Sequence, residues 1–259
     1  MYREEIETIS KTSLAKLDLL ENNPKGYILS AMLAGLYVGI GVMFAFTAGG
    51  YLSAAGSPAT KIMMGIAFGV ALSLVIIAGA ELFTGNNLVL AIGSLNGALP
   101  WHKTLLAFLV CFLGNWLGSI LAGGAFYLTG LATGPVSEFM VSSAAIKMSL
   151  PPLQLFMRAA LCNVLVCLAV WCGYRSKSES GKLIMIFWCL FAFITTGFEH
   201  SIANMTLFTI ALFVPHGADV SIAGCLYNII VAAIGNVAGA IIVLAIPYFI
   251  ISGGARKKQ

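Results

Sequence analysis

Gly197-Phe-Glu-His-Ser-Ile-Ala-Asn204 sets a Glu199-His200 pair between two runs of almost purely apolar residues. The meaning of that pair depends on its solvent. Of 259 residues, 59% are hydrophobic and only 9% charged, with a mean hydropathy of +0.96; soluble domains carry about 25% charged residues. The solvent is therefore a bilayer, where an ionisable pair is costly and by default marks a substrate or ion pathway. The apolar stretches are long and uninterrupted, which selects helices over a barrel, whose strands would alternate apolar and polar over short segments. The expected fold class is an all-α integral membrane bundle.

Around this stretch the chain divides into about six spans, near residues 27–50, 60–96, 104–130, 151–173, 182–213 and 221–251, judged by the roughly 20 apolar residues that a crossing needs. The second and fifth are too long for one crossing. Each carries a polar patch at mid-length: Glu81-Leu-Phe-Thr84-Gly85-Asn86-Asn87 in the second, the opening stretch in the fifth. Both are expected to be broken helices, whose irregular backbone is tolerated at membrane depth only where protein lines a cavity.

The two breaks align. Glu81 precedes Asn86 by five residues, as Glu199 precedes Asn204, and one span later Gly114-Asn115-Trp-Leu-Gly118 matches Gly235-Asn236-Val-Ala-Gly239. Each half then holds three spans, an odd number, so the halves cross the membrane in opposite senses. This predicts an inverted repeat, over about 26–130 and 151–252, with a site near the midplane where the broken helices meet. The paired glycines, with Gly35 and Gly39, are read as close helix packing and not as a site.

Residues 1–25 are polar, with Ile6, Ile9, Leu14 and Leu17 at helical spacing. They are read as an amphipathic helix along the cytoplasmic membrane face, with a plain solvated tail as the alternative. Residues 26–252 form one channel domain and 253–259 a cytoplasmic tail. With both termini inside, eleven Lys and Arg residues fall on the cytoplasmic side, only Lys61 and Lys147 fall outside, and Arg158 lies within span 4. That asymmetry orients the bundle. The net charge of +4 forms no basic stripe with interleaved aromatics, so nucleic acid is not a partner. The six cysteines lie in apolar segments without C-x-x-C spacing, which indicates neither a disulfide framework nor a zinc site; no metal or cofactor is expected.

His200 has three possible roles: a structural histidine, a metal ligand or a proton-active pore residue. His102 and His216 fall in loops, so no ligand cluster supports a metal. Thr84 is either a helix cap or a pore residue, and its place in the opposing break favours the pore. Glu81 and Glu199 are expected to bond backbone amides freed by the breaks, since bare carboxylates in an anion path would repel it. Lys147, in a Gly/Pro-bearing loop between spans 3 and 4, is either solvated or draws anions to the outer mouth. No H-E-x-x-H, G-x-S-x-G or Walker motif is present, so an enzyme is not expected.

Ala80-Glu-Leu-Phe-Thr84 and Gly197-Phe-Glu-His-Ser-Ile-Ala-Asn204 resemble the formate/nitrite transporter family, and the resemblance covers essentially the whole chain. It implies an aquaporin-like six-span subunit, a homopentamer and a multi-pass protein of the plasma (inner) membrane. It also implies that Thr84 and His200 form the central site, with Lys147 above it and Asn163 and Asn204 among its polar surroundings. Leu72 and Phe193, helped by Phe68, would form the constriction on the inner side, and Leu82 would help form the outer one. From the residues alone, Phe68, Leu72 and Phe193 read as core packing. Gly85 and Asn86 follow Thr84 where formate channels of the family carry a small hydroxyl pair, and Phe-Thr-Gly-Asn is similar to the clostridial hydrosulfide channels of the family. The substrate so implied is a small monovalent anion, hydrosulfide first and formate or nitrite next. Two other classes stay open. An aquaporin-type neutral-solute channel should carry Asn-Pro-Ala in both breaks, and neither break does; a membrane-embedded enzyme would need a chemical group beyond one histidine.

Overall fold

The computed structural model describes residues 1–254, and among these it holds helices and no strands. In chain order they are α1 (Arg3–Asn22), α2 (Pro24–Ala54), α3 (Thr60–Phe68), α4 (Val70–Leu74), α5 (Phe83–Leu95), α6 (Trp101–Leu128), α7 (Gly134–Met148), α8 (Pro152–Arg175), α9 (Glu179–Thr196), α10 (Ser201–Phe213), α11 (Ile222–Ala238) and α12 (Ile246–Ile251). A wider π-helical turn, Val75–Gly79, continues α4, and another, Gly239–Ala245, joins α11 to α12. Among the described residues six segments are long and apolar enough to cross a membrane: Pro24–Ala54, Thr60–Gly79, Trp101–Leu128, Pro152–Arg175, Glu179–Thr196 and Ile222–Ile251.

Helix ends follow local chemistry. Pro24 opens α2, where its missing N–H leaves nothing unsatisfied, and the Asn23 side chain accepts from the Gly26 amide at 3.0 Å. Ser178 and Ser221 cap α9 and α11 in the same way. Both expected breaks are present, and each begins at a glycine in the left-handed region, Gly79 (φ 81°) and Gly197 (φ 84°). A Cβ is strained there, so glycine lets the chain leave one helix and extend towards the next.

α2 packs most extensively on α6, and α8 on α11, so each half is built on one tight pair. The small residues make these crossings close. A Cβ on Gly118 would collide with the Met32 carbonyl, and one on Gly239 with the Ala160 carbonyl. Gly118→Val is therefore expected to cost at least about 1–3 kcal/mol through overpacking. It should appear as a lowered thermal midpoint of the purified protein in detergent. Gly124→Ala, whose Cβ would meet only Phe213 at 3.5 Å, should leave the midpoint nearly unchanged.

Two expectations change. Residues 3–22 do form an amphipathic helix, but its apolar face (Ile6, Ile9, Leu17, Leu20) is buried on α5 and α2 of the bundle and not on lipid. Ser10 and Ser13 lie in the same buried face, and Gly93 of α5 leaves room for Ser13. Lys147 is not in a loop but in the last turn of α7, a helix that Pro135 starts. Lys103 at the start of α6 and Arg175 at the end of α8 both pair with α1, through Glu21 and Glu5, so these ends lie on one side of the bundle. Of the tail expected at 253–259, residues 255–259 lie outside the described residues.

Candidate functional site

The extended links at the two breaks are held by one device used twice. Asn115 on α6 accepts the Phe83 N–H through Oδ1 (2.8 Å) and donates through Nδ2 to the Ala31 and Glu81 carbonyls, each at 2.8 Å. Asn236 on α11 accepts the Ser201 N–H (3.1 Å) and donates to the Ala159 and Glu199 carbonyls at 2.8 and 3.1 Å. Both amides are fully buried. A buried amide left unpaired is costly, so each of these bonds is well determined.

The two carboxylates also follow one pattern. Glu81 binds Lys16 of α1 through both oxygens (2.7 and 2.8 Å) and accepts from Asn86 (2.8 Å). Glu199 binds Lys147 (2.7 Å) and accepts from Asn204 (2.7 Å). Asn204 gives its second proton to Asn228, which in turn donates to the Lys147 carbonyl. Each buried carboxylate thus has a cation and an amide donor.

Between the breaks, Thr84 Oγ1 lies 2.9 Å from His200 Nε2, both buried. The other ring nitrogen, Nδ1, accepts the Ala203 N–H at 3.1 Å and so caps α10. An acceptor nitrogen carries no proton, so the neutral ring holds its proton on Nε2 and donates it to Thr84. The Thr84 hydroxyl proton is left to donate elsewhere. The amino ends of α5 and α10, where helix dipoles favour negative charge, both meet at this pair.

Apolar side chains close in on the pair. A cavity of about 10 Å³, room for one water at most, is bounded by His200 with Phe68, Leu72, Leu82, Val166, Leu190 and Phe193. Phe193 stacks on the His200 ring (centroids 5.8 Å apart) and meets Phe68 edge-on (5.7 Å). Towards α1 the space opens into a vestibule of about 440 Å³, whose lining includes Lys16, Glu81, Leu72, Leu82, Gly85 and Asn86.

The family profile described as "Formate/nitrite transporter" matches residues 3–250. The "Nitrite transporter NirC" of Escherichia coli (strain K12) is 38% identical over 251 residues, covering 96% of this chain and 92% of the relative. The chain belongs to the formate/nitrite transporter family. Among solved structures of this family, one titled "FNT family ion channel" superposes with a TM-score of 0.91 at 36% identity, covering 96% of this chain and 98% of the other. A "Pentameric formate channel with formate bound" gives 0.78 at 27% identity, covering 88% and 96%. As a member, the protein is a multi-pass membrane channel for small anions, and its relatives carry transporter and channel names, not enzyme names.

In this formate/nitrite transporter homologue the structure brings Thr84 and His200 together with Phe68, Leu72, Leu82 and Phe193. Leu72 and Leu82 line both the small cavity and the α1-side vestibule, while Phe68, one helical turn before Leu72, and Phe193 pack on each other and line the small cavity alone. Val166 joins this ring and was not anticipated. Asn163 and Asn204 do not line the small cavity: Asn163 donates to the Asn236 carbonyl, and Asn204 holds Glu199 and Asn228. Glu81 and Glu199 bind lysines and asparagines where backbone amides were expected, because Asn115 and Asn236 already hold those amides. Thr84 makes no cap bond, and the cap belongs to His200.

Proposed function

We propose that the protein is a passive or proton-linked channel for small monovalent anions, hydrosulfide first and formate or nitrite next, with Thr84 and His200 as its central site. The observation that carries this reading is the hydrogen-bonded pair Thr84–His200 enclosed by apolar side chains. Thr84 donates to the anion, while Lys16 and Lys147, each paired with a buried glutamate and still partly open, present the cationic ends of those pairs to the two approaches. A bare charge is costly between Leu72/Leu82 and Phe68/Phe193, and a neutral acid is not. With His200 as imidazolium, its Nδ1 releasing the Ala203 N–H, Nε2–H passes to Thr84 Oγ1 as the Thr84 proton passes to the anion; the neutral acid leaves, and the ring, left with its proton on Nδ1, returns to the resting tautomer by losing that proton and taking one up from the vestibule at Nε2. Asn163 and Asn204 keep the surroundings of this pair in place.

The choice of hydrosulfide rests on Phe83-Thr-Gly-Asn86, since Gly85 and Asn86 both line the vestibule and so face an incoming substrate. Formate and nitrite enter through the names of the relatives. A homopentamer is supported by the pentameric formate channel it resembles, and cytoplasmic termini by the side on which the basic residues gather. Light scattering from proteoliposomes tests the reading against an aquaporin-type channel. Gradients of hydrosulfide, formate and nitrite salts should give swelling far above that of protein-free vesicles, with hydrosulfide fastest. Swelling in glycerol or water alone would reverse the conclusion.

A further inference from the structure

Asn115 and Asn236 do more than seal the breaks. Asn236 bonds the carbonyl of residue 199 and the amide of residue 201, so it brackets His200 from both sides. Asn115 bonds the carbonyl of residue 81 and the amide of residue 83, so it brackets Leu82. The bracketed residues have nearly the same extended backbone, φ −108° and ψ 111° at His200, φ −99° and ψ 123° at Leu82. The repeat thus holds the proton-active ring and the apolar gate at equivalent positions by identical clamps.

We infer that Asn236 and Asn115 are positioning residues with separate tasks: Asn236 fixes the ring orientation and tautomer of His200, and Asn115 fixes the Leu82 constriction. Nδ1 reaches the Ala203 N–H only while the bracket holds His200 at the cap of α10. Leu82 touches the small cavity and the vestibule only while the chain from Ala80 to Phe83 stays extended. The other ionisable groups around His200 are Glu199 beside it, Lys147 from α7, and Cys162 and Cys167 from α8; α3, α4 and α9 present Phe68, Leu72, Leu190 and Phe193. None of these is bonded to Asn115, so a change there should not alter the titration of His200.

The role of the clamps in flux rests on the proposed function, so the test reads the ring directly as well. The chain has three histidines, and in ¹⁵N-histidine-labelled proteoliposomes the His200 signal is the one lost in His200→Asn. Wild type should show Nδ1 bare and Nε2 protonated. Asn236→Ser should mix the tautomers and move the pH midpoint of anion flux by about one unit, a tenfold change in proton affinity. Asn115→Ser should leave the His200 signal as in wild type and raise flux at every pH without moving the midpoint. A wild-type proton on Nδ1 would overturn the inference without any variant, and so would equal effects of the two substitutions on the ring. A normal ring pattern with no anion flux would uphold the clamp on His200 and sink the channel reading instead.

Discussion

Lys147→Met is expected to be the most destabilising single change at the site, by about 3–5 kcal/mol, because it strands a buried carboxylate. The Glu199 side chain is 2% exposed and that of Lys147 20%. Without the lysine, Glu199 keeps only the Asn204 donor, and Asn204 is shared with Asn228. Desolvation that a full ion pair offsets would then be unopposed. Lys147→Met/Glu199→Leu removes the charge together with its partner and should recover most of the loss. Lys182→Met, which breaks the exposed pair with Glu179, should cost about 0–1 kcal/mol. Thermal unfolding in detergent, followed by loss of the assembled species, checks all three. A Lys147→Met midpoint no lower than that of Lys182→Met would show that Glu199 does not depend on this lysine.

His200→Asn is expected to leave the fold almost intact and to remove the acid activation of flux. Asparagine is among the best residues at a helix N-cap, and its Oδ1 can replace Nδ1 as the acceptor for the Ala203 N–H. The break therefore keeps its cap while the titrating ring is gone. If the anion crosses as a neutral acid, wild-type flux rises as pH falls. The variant should lose that rise, with flux at acid pH down by about a hundredfold, the lower side of what a positioned proton donor provides. A stability near wild type together with a flat pH profile would separate the chemistry of the ring from its structural task.

The breaks were legible because polar residues at one spacing interrupt two apolar runs, and a bilayer leaves few reasons for such residues. The meeting of Thr84 with His200 followed from superposing the halves of the repeat. Other features could not be read so directly. Asn115 and Asn236 stood out as markers of the repeat, but which amide and which carbonyls each holds depends on how α6 and α11 pass the breaks. Lys16 looked like one charge on an amphipathic tail, and only the docking of α1 brings it to Glu81. Asn228 had no motif at all and is placed by the crossing of α11 over α7. Lys147 read as a loop residue because glycine and proline precede a modestly apolar stretch; Pro135 in fact starts that helix. Phe68 and Leu72 are one turn apart and line the same small cavity, but only Leu72 also reaches the vestibule, which spacing along the chain does not reveal.

The central claim is that the charge of the anion is neutralised at Thr84–His200 before the apolar layers are crossed. It is tested most directly by recording anion efflux and internal pH together in proteoliposomes, for wild type and His200→Asn. The account predicts that wild-type efflux of formate or hydrosulfide carries one proton per anion, alkalinising the interior, and that His200→Asn largely loses both signals. Anion efflux without a proton in wild type, or equal proton movement in the two proteins, would contradict it.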